Sequence, residues 1–153
     1  MQELCLNEAL FDLWNNEKKN LNRIVRPIYP KAREVWYIKI GMNVWKEIFW
    51  KRWFFRPVLV ISRIGNMFFC IPMTTKWKYS GYYLKIDALW KKVDSYIVIN
   101  QGRVFDTQRF FTKIWKISIW EFEQIKKLLC RKYFPEVLED FSPAFLQGRS
   151  PHM

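Results

Sequence analysis

The sequence predicts a mainly β chain: a small, strongly bent antiparallel sheet or partly open barrel, with a helix at each end. Three observations carry this. Between Arg33 and Ile117, short runs of β-forming residues alternate with turn residues, which is the mark of a compact all-β unit. Helical spacing of apolar residues is confined to the two flanks. The length, 153 residues, suits one domain and is too short for two full ones.

In chain order, Leu6, Leu10 and Leu13, with Ala9 beside them, form an apolar stripe ahead of the polar stretch 15–20, and Asn7 is a possible cap. Pro27 and Pro30 exclude a continuing helix and make IVRPIYPK an extended connector. Residues 1–32 are therefore expected as a helix and connector laid on the core. Strands are expected at Glu34–Ile40, Pro57–Ser62, Met67–Ile71, Tyr82–Ile86, Ser95–Ile99 and Phe111–Ile117. Gly65-Asn66 between two of them reads as a tight hairpin turn. Ser118-Ile-Trp-Glu121 is a capping box, followed by the stripe Phe122, Ile125, Leu128 and Leu129, and Pro135 ends that helix. The barrel unit is thus expected over 33–134, with 135–153 as a frayed tail.

Composition narrows the function. Lys and Arg outnumber Asp and Glu by 26 to 14, a net charge of +12, which favours a polyanionic partner. Nine Trp, seven Tyr and thirteen Phe exceed what one core of this size uses, so some are expected at a binding surface. The most apolar stretch, Trp53–Met73, is interrupted by Arg56 and Arg63, so no membrane helix is expected. MQELCLNEAL lacks the basic start of a secretory signal. Cys5, Cys70 and Cys130 are too far apart for a zinc knuckle or redox pair, and a reducing cytoplasm is the simple reading. The single histidine, His152, argues against histidine-pair nucleases, serine triads and most zinc enzymes, and no glycine-rich phosphate loop occurs.

Four motifs then occur in order: Arg56-Pro-Val-Leu-Val60; Ile71-Pro-Met-Thr-Thr75; Ser95 through Gln101-Gly-Arg103; and Asp106 with Arg109. GMNVWKE, at 41–47, precedes them. Together they resemble the MazF/PemK family of toxin ribonucleases from type II toxin–antitoxin pairs, over roughly Arg33–Tyr133. The resemblance implies an SH3-like barrel with a C-terminal helix, usually a homodimer with single-stranded RNA across its interface. It also implies metal-independent, cofactor-free cleavage at a short sequence motif, blocked by a cognate, acidic antitoxin. By match, Arg56 and Thr74 would be catalytic.

The chemistry suits those residue types. RNA carries its own nucleophile, the 2′-hydroxyl, so an enzyme needs to align it and stabilise charge on the phosphoryl oxygens. A guanidinium offers forked donors for that charge, and the Thr74 hydroxyl can donate to a phosphoryl or leaving oxygen. Arg56 is a poor base, so Glu47 is the base candidate. Each has a plainer reading: Arg56 as a surface or dimer charge, Thr74 and Thr75 as strand-end residues, and Asp106 with Arg109 as a local ion pair. Gln101 and Arg103 are expected to brace the barrel or dimer, or to touch RNA.

The segment 44–55 interleaves Trp45, Phe49, Trp50, Trp53, Phe54 and Phe55 with Lys46, Lys51 and Arg52. Aromatic faces stack on unpaired bases for about 1–3 kcal/mol each, and cations hold phosphates. Lys46, Trp50, Lys51, Arg52 and Trp53 are therefore candidate RNA contacts; docking on the N-terminal helix, a second protomer or an antitoxin is the alternative. Lys76 and the basic stretch to Lys92 extend the same track beyond Thr75. The sequence departs from the family pattern at Trp45, Ile48 and Gly102, and Asn100 stands where some members carry an aspartate. The competing function is a non-catalytic barrel that binds RNA or, like the CcdB relatives, inhibits a target; the C-terminal Trp signature of that group is missing.

Overall fold

A computed structural model describes residues 2–23, 25, 28–41, 54–87 and 94–136. The chain forms two compact units, Met1–Ile117 and Ser118–Met153.

The first unit begins with α1 (Gln2–Arg23). It is longer than its apolar stripe implied, and Asn7 lies inside it rather than capping it. The stripe is also rotated: Trp14 and Leu21 are buried with Leu10 packed against them, whereas Leu13 is 56% exposed. Residues 10, 14, 17 and 21 follow at alternate steps of four and three, a single helix face. Glu17 on that face forms an ion pair with Lys39.

Seven antiparallel strands follow: β1 (Glu34–Lys39), β2 (Phe55–Ile64), β3 (Met67–Thr74), β4 (Tyr83–Ile86), β5 (Ser95–Val98), β6 (Arg103–Asp106) and β7 (Phe110–Lys116). The expected strands are all present; β2 and β3 are longer than the β-forming runs, and the others agree to within a residue at each end. β6 is additional. The order is β4-β5-β3-β2-β1-β7, with β6 also on β3, so the sheet is open rather than a closed barrel. Its bend has a visible cause. β3 pairs with β6 through Met67–Cys70 and then with β5 at Met73 and Thr74, so one strand serves two sheet segments. A register shift between Val60 and Ser62 adds curvature on β2. The β2–β3 turn is Gly65-Asn66 as expected, with Gly65 at φ +60, where a side chain is disfavoured.

The core face carries Ile38, Val58, Val60, Phe68, Cys70, Phe105 and Phe110. Arg33 pins the start of β1 to the end of β7: its Nε and Nη2 both donate to the Ile117 carbonyl, at 3.1 and 2.8 Å. Buried Glu34 accepts from the Lys31 backbone N–H, Trp36 Nε1 and Lys113 Nζ. Burial alone would raise its carboxyl pKa, but these donors outweigh that and hold it below the ordinary value.

The second unit contains α2 (Ile119–Tyr133). Ser118 Oγ accepts from the Glu121 N–H at 3.1 Å, the cap the sequence announced. Phe122, Ile125 and Leu129 are buried, and the helix ends two residues before Pro135. The expected tail falls mostly at 137–153, outside the described residues.

Candidate functional site

Site geometry follows from strand register. Val58 pairs with Pro72 and Leu59 with Ile71. The pairing ends at Val58 and Pro72, and beyond it Arg56 reaches the end of β3, its Nε bonding to the Met73 carbonyl next to Thr74. Side chains alternate along a strand, so Arg56 and Thr74 share the face that carries Val58, Val60 and Cys70. Arg103, paired with Cys70 on β6, lies on that face as well. The apolar core therefore gives way to two guanidiniums and a hydroxyl at one end of the sheet.

Arg56 is 9% exposed. Its Nε donates to the Met73 carbonyl at 3.1 Å and its Nη1 to Gln101 Oε1 at 3.0 Å. Gln101 reaches it from a single 3-10 turn, Ile99–Gln101, which follows β5. Gln101 thus orients the guanidinium, a more specific task than bracing the barrel. Burial pulls Arg56 down to about 10; Tyr83 opposes that shift and the neighbouring charge of Arg103 adds to it. The group still carries its proton at neutral pH, so it is suited to hold negative charge rather than to remove a proton.

Thr74 is half-buried at the end of β3. Its Oγ1 accepts from the Lys76 N–H at 3.1 Å. That bond uses the oxygen as acceptor and leaves its hydrogen to donate elsewhere. Thr75, Lys76, Trp77 and Tyr79 beyond it are exposed, and the rings of Trp77 and Tyr79 meet edge to face at 5.8 Å. Lys85, later in the same basic stretch, is paired with Asp94 at 2.8 Å.

Asp106 and Arg109 form no ion pair, contrary to the expectation from their spacing. Asp106 Oδ1 instead accepts from the Gln108 N–H at 2.8 Å and starts a 3-10 turn, Thr107–Arg109. The turn directs Arg109 to the Lys39 carbonyl, at 3.0 Å, with its guanidinium 5.5 Å from the Trp14 ring centre. Burial lowers the pKa of Arg109, Arg103 lowers it further and Asp106 raises it. The positive charge of Arg103 thus lowers the pKa of both Arg56 and Arg109. Local sequence carried no signal of these contacts, because α1 and β1 supply the ring and the carbonyl that Arg109 meets.

Six predicted site residues, Lys46, Glu47, Trp50, Lys51, Arg52 and Trp53, lie outside the described residues, as do Trp45, Ile48 and Phe49. The edges of that segment are described. Phe54 is buried against Trp14 at 5.2 Å, and Phe55 stacks on Phe111 at 4.8 Å with Lys39 over its ring. These two aromatics dock within the chain, so the alternative reading holds for Phe54, which meets the N-terminal helix. Gly41 (φ +80) and Phe54 (φ +67) flank residues 42–53, and the Ile40 N–H donates to the Phe54 carbonyl at 3.1 Å. Both ends of the segment therefore meet at Trp14.

Among the described residues no three His, Cys, Asp or Glu side chains gather as a metal cluster, and no helix is long and apolar enough to cross a membrane.

Compared with known proteins, residues 31–132 match the sequence profile of PemK-like, MazF-like toxins of type II toxin–antitoxin systems. No curated protein matches the chain. Among solved structures, MazF from Deinococcus radiodurans is similar at a TM-score of 0.56 and 14% identity, over 69% of this chain and 97% of that one. A MazE–MazF complex from the same organism gives 0.55 and 14%, over 70% and 97%. An endoribonuclease in complex with its cognate antitoxin, from a mycobacterial species, gives 0.52 and 11%, over 80% and 100%. Identities this low speak to the fold. α1 precedes the matched segment.

Proposed function

The chain belongs to the PemK-like, MazF-like toxin family of type II toxin–antitoxin systems, and on that premise we propose that it is a metal-independent endoribonuclease acting on single-stranded RNA. The observation that carries the reading is the buried Arg56 guanidinium, fixed by Met73 O and Gln101 Oε1 beside the end of β3 that bears Thr74.

The 2′-oxygen bonds to the adjacent phosphorus, the bond from phosphorus to the 5′-oxygen breaks, and one proton passes overall from the 2′-oxygen to the 5′-oxygen. The products are a 2′,3′-cyclic phosphate and a 5′-hydroxyl. Arg56 binds the phosphoryl oxygens, whose negative charge grows in the transition state, and a buried, pre-oriented donor is worth most there. Thr74 donates its hydroxyl hydrogen to a phosphoryl or leaving oxygen. Glu47 is the proposed base. Thr75, Lys76 and Arg103 contact the flanking backbone, and the exposed rings of Trp77 and Tyr79 offer aromatic faces to unpaired bases. An acidic antitoxin competes for the same cations, and a homodimer brings two such faces to one RNA.

The test is cleavage of a mixed RNA pool in EDTA by folded, antitoxin-free protein. Products ending in a 5′-hydroxyl and a cyclic phosphate support the proposal. Intact RNA, with gyrase supercoiling inhibited by the same preparation, would move the chain to the non-catalytic class.

A further inference from the structure

α1 lies ahead of the matched toxin segment, yet it walls a charged cleft. The cleft, of about 400 Å³, lies between α1 and β6 with the turn after it; Trp14 and Lys18 line one side, and Arg103, Asp106 and Arg109 the other. Three cations face it against one carboxylate. Two of its groups are fixed before any ligand arrives: Arg109 by its bond to the Lys39 carbonyl and the Trp14 ring, and Trp14 by burial to 3% exposure. Arg103 lies with its guanidinium carbon 5.3 Å from the Phe105 ring centre. A second cleft, of about 500 Å³, shares Asp106 and is bordered by Asn22, Tyr29, Arg63 and Asn66. Tyr29 there is 70% exposed.

We propose that the N-terminal segment completes a second phosphate site for single-stranded RNA, in which Lys18, Arg103 and Arg109 bind a backbone phosphate away from the scissile one and Tyr29 stacks on a neighbouring base. The proposal rests on the ribonuclease reading for its substrate. Like charges held close together gain most from an anion placed among them, and a volume of this size admits a nucleotide. RNA is favoured over an acidic peptide because Arg103 lines the cleft and also lies on the sheet face that carries Arg56, so cations of both places fall along one face. The charge of Arg103 lowers the pKa of both Arg56 and Arg109, which agrees with a shared cationic track. A polyanion with evenly spaced charges matches such a track, and exposed tyrosine rings serve unpaired bases.

The probe is a fluorescent 12-nucleotide 2′-O-methyl RNA pool of mixed sequence, which lacks the nucleophile and cannot be cut. Binding to the full chain is measured across a salt series for wild type, Lys18→Glu, Lys18→Gln and Lys19→Glu. Lys19→Glu makes the same charge change one residue away and does not line the cleft. Lys18→Glu is expected to weaken binding at least fivefold more than Lys19→Glu and to reduce the salt slope by about 0.7, the contribution of one single-strand phosphate contact. Lys18→Gln should fall between, and Tyr29→Ala should weaken binding without changing the slope. Equal effects of the two Glu substitutions would overturn the proposal. So would loss of polyglutamate binding at Lys18 with RNA binding intact. Since the probe is uncleavable, a chain that binds it in this pattern but cuts no RNA would lose the nuclease reading and keep the phosphate site.

Discussion

The Trp14 indole fills the space that a side chain at Gly41 would need. A Cβ added at Gly41 would sit 1.9 Å from Trp14 Cε2 and 2.1 Å from Cδ2, well inside contact distance, and the backbone there has φ +80. Gly41→Ala must therefore expel the indole and also strain the backbone. Losing a buried Trp costs about 3–5 kcal/mol, and a non-glycine residue in the left-handed region about 1–2 kcal/mol. Trp14→Ala alone should cost about 3–5 kcal/mol, which for a chain this long lowers Tm by about 6–20 °C. With the indole gone the clash vanishes, and Gly41→Ala then adds only about 1–2 kcal/mol of backbone strain. The double variant should be much more stable than the sum of the single effects. The assay is urea unfolding followed by far-UV circular dichroism on the four proteins. Additive losses within about 0.5 kcal/mol would refute the contact and, with it, the claim that α1 grips the ends of segment 42–53.

Two further outcomes follow from the site and its frame. Gln101→Leu removes the acceptor from a charged donor; a bond of that kind is worth about 1.5–3 kcal/mol, so kcat should fall about 10- to 150-fold. Binding of uncleavable RNA should hold, Gln101→Glu should restore much of the rate, and an unchanged kcat would remove Gln101 from the orienting role. Glu34 titrates below its ordinary value of 4.5 in the folded chain, so between the two values the unfolded state binds more protons. Its contribution is full above pH 4.5 and disappears as pH falls through the folded value. Unfolding free energies from pH 2 to 6 should show a steeper acid loss in wild type than in Glu34→Gln, and parallel curves would contradict the assignment.

The parts legible in the sequence were those set by neighbours in the chain. Gly65-Asn66 announced a hairpin because a two-residue turn between β-formers leaves few alternatives, and Ser118 with Glu121 announced a cap because its partners are three residues apart. Arg56 and Thr74 were singled out by their match to the family motifs, not by any register read from the sequence. What stayed hidden depends on distant contacts. β6, Arg-Val-Phe-Asp, is four residues long with a charge at each end, and it becomes a strand because β3 supplies hydrogen bonds. The bond from Arg56 to Gln101 spans 45 residues. The α1 stripe was misread because Leu13 looks like a core residue locally, while the space beside Gly41 and Phe54 selects Trp14. Asp106 and Arg109 looked like an ion pair until the 3-10 turn between them sent each to backbone partners.

In the proposed function one buried guanidinium, Arg56, enables cleavage of the RNA backbone, and that role is open to a direct assay. It is tested most directly by incubating wild type, Arg56→Ala and Arg56→Lys with a mixed single-stranded RNA pool in EDTA and sequencing the new ends, with folding checked by circular dichroism. Wild type should cut and leave 5′-hydroxyl and 2′,3′-cyclic phosphate ends; the Ala variant should be slower by about 10²–10³ or more, and Lys, which keeps the charge without the fork, should remain well below wild type. Folded wild type that leaves the RNA intact, or a folded Arg56→Ala that cuts at the wild-type rate, would contradict the account.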